Sequence, residues 1–282
     1  MCRHILFAAA ILLWAPVTAS ADGMTRTAPV MDTYYGPVYS HTIFTGGEVA
    51  RDSWETYLGA TWALNRDLSR EGVLFRTMGT YGRYDYEENC PAGTCPSGSL
   101  TARSFDGRMW QGDVMVGYQW VRGTFDMALY GGVDFQNHRI SPNDPFNPVS
   151  GHETGFKVAI DLESHRHLDL PYYYALEGAY STAFDTYFLL GRLGFNRSRH
   201  IFGVEGWLLG DETGNAQRLG AFVSFERQLR TDLLAEISLS AGYQFIDEDG
   251  KLCGSFFGSE GAYGTLNISF HFGGAPPVRP MK

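Results

Sequence analysis

The chain has 282 residues, with 31 acids against 22 lysines and arginines and a formal net charge of −9. That balance argues against a nucleic-acid partner, whose phosphates demand a basic surface. Aromatic residues reach 15% and glycines number 34, a mixture that suits pleated strands and tight turns better than helices.

The first segment reads as an export signal. Met1 to His4 carry Arg3, Ile5 to Trp14 are almost wholly apolar, and Ala19-Ser20-Ala21 has the small-x-small form of a signal-peptidase site. The apolar run is too short to span a bilayer as a helix. Residues 1–21 are therefore expected to be a removed secretory signal, the alternative being an N-terminal anchor, and residues 22–39 a periplasmic extension. Cys2 falls in the discarded part.

Beyond residue 39 the hydrophobic pattern has period two. Strands are expected near 40–49, 53–64, 73–86, 104–120, 124–136, 153–164, 172–182, 186–196, 200–210, 217–227, 232–245 and 262–272. From Phe125 to Phe135 the apolar set Phe125, Met127, Leu129, Val133, Phe135 alternates with Asp126, Tyr130 and Asp134. Phe156, Val158, Ile160 and Leu162 alternate with Lys157, Asp161 and Glu163. Leu233, Ala235, Ile237, Leu239, Ala241, Tyr243 and Phe245 alternate with Glu236, Ser238, Ser240 and Gln244. Such alternation means one apolar and one polar face per strand. In 73–86, Arg76 and Arg83 fall on opposite faces, and the inward face stays undecided.

The links at 65–72, 121–123, 165–171, 197–199 and 228–231 are short. Those at 87–103, 137–152, 211–216 and 246–261 read as longer and richer in turn residues, while 50–52 and 183–185 break the rule. Short periplasmic turns against longer external loops, with an even strand count, describe a closed antiparallel up-and-down transmembrane β-barrel of about twelve strands. The barrel would occupy 40–272, followed by a disordered tail at 273–282. The competing architecture is a soluble β-sandwich, whose apolar faces would meet in a core. Length favours the barrel, since several strands exceed the roughly 9–11 residues of a tilted crossing. Aromatics near strand ends (Trp54, Tyr57, Tyr118, Trp120, Tyr172 to Tyr174, Tyr187, Phe270, Phe272) suit a membrane interface.

In a barrel the polar faces line a lumen. The lumen-facing candidates are Glu55, Asp113, Asp126, Tyr130, Asp134, Lys157, Asp161, Tyr173, Glu177, Arg192, Glu205, Arg218 and Glu236, with Glu163, Glu226 and Trp207 by the same parity. Cys90 and Cys95 bracket Pro-Ala-Gly-Thr and are candidates for a small disulfide in an oxidising compartment; metal binding is the alternative, and Cys253 is left over.

Chemical motifs are scarce. Asn267, Ser269 and His271 lie on the polar face of the last strand, where a lipid hydrolase would need them on lipid, and no acid completes a triad. Asp247 to Gly250 resemble part of a calcium loop, but Phe245 and Phe256 occupy its first and twelfth positions. His165 and His167 flank Arg166 without partners in sequence, so they read as solvent-facing. No cofactor motif is present, and no catalytic, cofactor-binding or metal residue is assigned.

Four stretches resemble the BcsS family of cellulose-biosynthesis proteins: LGATWALNRDLSREGVLFRTMGTYGRYDY at 58–86, DVMVGYQWVRG at 113–123, GVDFQNHRISPNDPFNPVSGHETGFKVA at 132–159, and GVEGWLLGDETGNAQRLGAFVSF at 203–225 with GAYGTLNISFHF at 261–272. The resemblance implies association with cellulose production or export at the outer membrane of a Gram-negative envelope. The barrel reading implies contact with outer-membrane lipid; the resemblance adds cellulose synthase or export components or the glucan as partners and supplies no catalytic residue. The expected role is a non-enzymatic channel, scaffold or surface anchor. A general small-solute porin is the alternative, and a lipid- or glycan-modifying enzyme the third reading.

Overall fold

Each strand pairs with its neighbours in chain order, antiparallel, and the first closes onto the last. The computed structural model describes residues 38–89, 102–144, 147–164, 171–197, 200–246 and 259–274. The strands are β1 (Val38–Ala50), β2 (Ser53–Ala63), β3 (Gly72–Asn89), β4 (Ala102–Val121), β5 (Phe125–Ser141), β6 (Gly151–Ser164), β7 (Tyr172–Ser181), β8 (Tyr187–Arg197), β9 (His200–Asp211), β10 (Gly214–Arg230), β11 (Leu233–Ile246) and β12 (Gly261–Gly274). Closure runs along β1 and β12, for example Ile43 opposite Phe270 and Glu48 opposite Thr265. With strands about 4.8 Å apart and tilted by about 40°, such a barrel is about 24 Å across between backbones. The calls on the signal segment, on Cys90, Cys95 and Cys253, on His165 and His167, on Asp247 to Gly250 and on the tail beyond residue 274 lie outside the described residues.

The apolar faces point outward. Leu129 is 44% exposed, Val158 57% and Phe156 74%. A largely apolar wall of this kind is stable against hydrocarbon, and a closed sheet leaves no unpaired backbone edge there. Among the described residues no helix is long and apolar enough to cross a membrane.

The interior is layered. Near the end that holds the start of β1 and the close of β12, two apolar clusters fill the wall: Ala63, Leu74, Met115, Ala128, Tyr130 and Ala159 on β2–β6, and Tyr173, Ala175, Ile201 and Phe222 on β7–β10. The β2–β3 link folds inward over the first. Leu68 packs on it, its N–H donates to the Tyr39 carbonyl at 2.8 Å, and its carbonyl accepts from Gln119 Nε2 at 2.6 Å. At the far end Tyr84, Tyr86, Phe105 and Met109 form a third cluster. Two far-end links tuck in beside it. Tyr86 Oη donates to Asp144 at 2.7 Å and accepts from Asn147 at 3.0 Å. A single 3₁₀ turn (Ala183–Asp185) places buried Phe184 edge-on to the His138 ring, centroids 5.2 Å apart.

Three expectations need correction and one open point is settled. The β9–β10 link is not a long loop at 211–216. Asp211 Oδ1 accepts from the N–H groups of Thr213 at 2.6 Å and Gly214 at 3.2 Å, so Glu212 and Thr213 alone turn the chain. Tyr57 is not an interface aromatic: it shares the inward parity of Glu55 and donates to Asn267 Oδ1. The face of β3 is settled, with Leu74, Arg76, Thr80, Tyr84 and Tyr86 inward and Arg83 outward. The outer strands run slightly longer than read, β1 starting at Val38 and β12 reaching Gly274.

Candidate functional site: a charged belt across the lumen

Between and beside the apolar layers lie ionisable side chains. Their logic comes from the register. Five acidic pairs stand directly opposite one another on adjacent strands, all on inward faces: Glu48 and Glu55, Asp113 and Asp134, Asp126 and Glu163, Asp161 and Glu177, Glu226 and Glu236. Like charges directly opposite destabilise a sheet. The cations that relieve three of these pairs come from other strands.

Arg218 on β10 reaches over β11 and β12 to Glu48 on β1, with two bonds of 2.6 and 2.7 Å. This is the planar fork that matches a carboxylate bidentately. Its Nε donates to buried Gln244 at 2.7 Å, and its guanidinium lies 5.1 Å from the Tyr263 ring centre. Arg76 on β3 reaches past two strands to Asp161 on β6 at 3.0 Å, sitting 5.3 Å from the Tyr130 ring and 5.7 Å from that of Phe44. Lys157 on β6 pairs with Asp113 on β4 at 2.6 Å, both almost fully buried. Asp134, opposite Asp113, accepts from Gln111 at 3.0 Å and from Gln136 at 2.7 Å.

Glu205 is a hub. It accepts from Arg192 on β8 at 3.0 Å, from Trp207 Nε1 at 3.0 Å and from Tyr263 Oη at 2.9 Å, three strands away on β12. Arg192 also stacks 5.0 Å from the Phe222 ring, whose other neighbour is Tyr173 at 5.8 Å. Tyr173 Oη donates to Glu163 at 3.0 Å. Glu236 accepts from Ser224 at 2.8 Å. Glu55 and Glu177 are half-buried, facing Glu48 and Asp161 across their strand pairs. Each of the thirteen lumen candidates read from the sequence thus has a described place on an inward face.

The sequence reading places Gln136 and Gln244 on polar faces, misses Glu48, Tyr57, Gln111, Phe222 and Tyr263, and leaves Arg76 open. For Glu48 the signal is blurred by Gly46-Gly47, which interrupt the alternation of β1. The Asn267, Ser269, His271 set does not act as a unit. Asn267 is bonded to Tyr57, His271 Nδ1 lies 2.9 Å from Thr42 Oγ1, and Ser269 stands opposite Glu236.

Chemically, the belt ties together strands up to three steps apart on the ring. Among the described residues, its excess of carboxylates over the four cations Arg76, Lys157, Arg192 and Arg218 makes the remaining space attractive to positive charge.

Among solved structures, the chain is similar to the KdgM porin (9% identity, TM-score 0.40, covering 82% of this chain and 99% of that one). It is also similar to a TodX monoaromatic hydrocarbon channel variant (7%, TM-score 0.40, 84% and 91%) and to outer membrane phospholipase A from Escherichia coli (10%, TM-score 0.35, 85% and 98%). No curated protein matches the sequence. The description of the cellulose biosynthesis protein BcsS family matches residues 42–272, which is nearly the whole barrel, and the chain belongs to that family.

Proposed function

We propose that this barrel is exported to the outer membrane of a Gram-negative envelope and serves cellulose biosynthesis or export there as a braced scaffold or surface anchor, without catalysis of its own. Family membership supports the link to cellulose. The apolar wall supports residence in a bilayer. The observation that carries the scaffold reading is the pair of bridges Arg218–Glu48 and Arg76–Asp161, each spanning three strand steps of the closed sheet. A lumen about 24 Å across between backbones, bridged by two ion pairs and lined by apolar clusters at both ends, has little room for a glucan chain.

The far end faces the cell exterior, because β3, β4 and β5 project furthest there and the longest links, 90–101 and 247–260, join strands at that end. The partners are outer-membrane lipid together with the synthase or export components or the polymer itself. Deleting the gene tests the role: surface cellulose changes in amount or architecture, and an unchanged polymer refutes the link. Planar bilayers test the scaffold: the purified barrel shows no steady ohmic conductance, and a steady conductance transfers the protein to the small-solute porins. Turnover of lipid or glycan by the purified protein, abolished by Ser269→Ala, refutes the non-enzymatic reading.

A further inference from the structure

The outward wall changes character near the far end. Trp54 on β2, Tyr81 on β3 and Trp110 on β4 are exposed aromatics, with Trp54 and Tyr81 in edge contact at 5.8 Å. They mark an interface level, where such rings sit between hydrocarbon and water. At that level, or one pleat beyond, three arginines stand in a row. Arg83 on β3 is directly opposite Arg108 on β4, and Arg108 is directly opposite Arg139 on β5. All three belong to outward faces. Trp54 continues the row on β2 as the residue opposite Arg83.

Three guanidinium groups in adjacent register repel one another unless an anion sits among them. The wall supplies part of that charge. Asp106 pairs with Arg83, and its other oxygen is 3.8 Å from Arg108 Nε. Asp85 stands opposite Asp106 one row further out. These acids sit at the β3–β4 side of the row and leave its Arg139 end unanswered. Arg108 is 61% exposed, Arg139 has no carboxylate partner among the described residues, and the buried Nε of Arg83 has no hydrogen-bond partner there either. A row of forked donors above an aromatic belt, on a wall whose lower part is hydrocarbon-facing, matches a ligand with acyl chains below and phosphate at the headgroup.

We propose that Arg83, Arg108 and Arg139 form a binding row for a phosphorylated lipid headgroup of the leaflet at the far end. With the orientation proposed above, on which the choice of leaflet rests, this is the outer leaflet. The phosphate would lie along the row, with Asp106 holding the side chains in place and the acyl chains running down beside Tyr81, Trp110 and Val114.

The full-length barrel in nanodiscs of neutral phospholipid tests this, with equal amounts of diphosphorylated lipid A or its dephosphorylated form added and the retained lipid counted by native mass spectrometry. The wild type retains the phosphorylated form over the dephosphorylated form by about fivefold, the factor expected of one uncompensated basic residue at an anionic surface. Arg83→Gln, Arg108→Gln and Arg139→Gln together remove that preference. Arg197→Gln with Arg227→Gln, exposed at the opposite rim, leave it intact. Heat-modifiable migration in gels verifies that each variant is folded. Equal retention of both lipids, or a preference that survives the triple change, overturns the proposal. Displacement by millimolar inorganic phosphate would make the row a small-anion site and overturn the lipid assignment. The leaflet is tested separately, by an epitope inserted at exposed Gly123 in the β4–β5 turn: detection only after permeabilisation supports the orientation, and detection on intact cells reverses the leaflet while leaving the nanodisc result standing.

Discussion

Arg218 offers the sharpest test of the braced interior. Its side chain is 1% exposed and holds Glu48, itself 18% exposed, by a bidentate pair. Arg218→Met keeps most of the apolar volume and removes the charge. Breaking a buried pair from one side costs about 3–5 kcal/mol, and the slight hydration of Glu48 places this case near 3. Gln244, fully buried, loses its donor from Arg218 Nε, which adds about 1 kcal/mol. Glu48→Gln strands the opposite charge, still bonded to Gln244 and stacked on Tyr263, at a cost of about 3 kcal/mol. The double variant strands neither charge of the bridge and keeps only the Gln244 cost of about 1 kcal/mol, against about 7 for the summed singles, a coupling of about 6 kcal/mol. Urea unfolding in vesicles, followed by tryptophan fluorescence and gel mobility, measures all four corners of the cycle. Arg218→Lys recovers little, because a point charge cannot reproduce the fork. Losses that add within about 0.5 kcal/mol refute the bridge as an energetic unit.

Four further outcomes follow from the same geometry. Replacing Arg76 and Arg218 together by alanine opens the lumen, so discrete conductance steps appear in planar bilayers that the wild type does not show; silence in both refutes the bridges as the obstruction. Gly131 and Gly132 separate the two faces of β5: a Cβ on Gly132 would lie 2.1 Å from the Val114 carbonyl oxygen and 2.7 Å from Met115 Cα, whereas one on Gly131 meets nothing within 4 Å. Gly132→Ala therefore lowers stability by about 2 kcal/mol or more while Gly131→Ala is neutral, read from urea midpoints. Val158→Arg, in the middle of the lipid wall, costs about 2–4 kcal/mol, and a smaller loss than for the same change at Arg139's level would contradict the assigned depth. At the far-end turn, burial and the nearby Asp185 and Glu153 raise the Glu212 carboxyl above its ordinary range. A raised carboxyl is protonated more readily folded than unfolded, so its stabilising share is present at low pH and is lost as pH rises through the carboxylate range. Glu212→Gln accordingly raises the unfolding midpoint at pH 7 and leaves it unchanged at pH 4.

Twelve strands and their closure were legible because alternation is a local property: one face must be greasy wherever a strand meets hydrocarbon. The same locality explains the failures. The segment 211–216, rich in Asp, Gly and Asn, reads as a loop because its polarity is real, yet its carboxylate caps the turn from within and lets the strands run on to Asp211 and from Gly214. Strand β3 resisted assignment because Arg83 lies on the outward face beyond the aromatic belt, where the wall is no longer apolar and parity loses its hydrophobic label. Tyr57 was misplaced because aromatic identity alone does not separate an interface ring from one bonded across the lumen to Asn267.

Pairing was illegible for a different reason. Arg218 and Glu48 are 170 residues apart, and nothing local to either names the other. What the register adds is a constraint of sign. Acid stands opposite acid on five strand pairs, so each must draw a cation or a neutral donor from elsewhere on the ring, and the four inward cations among the described residues are too few to serve all five singly. Three of them are placed where one guanidinium or ammonium answers an acidic pair, and the fourth, Arg192, faces its own acid, Glu205, directly across β8 and β9. A barrel wired this way is stiff because its charges are scarce: removing one cation exposes two carboxylates to each other, which is why the cost of Arg218→Met should exceed that of losing a salt bridge on the rim, such as Arg230–Asp232, where exposure leaves about 0–1 kcal/mol to lose.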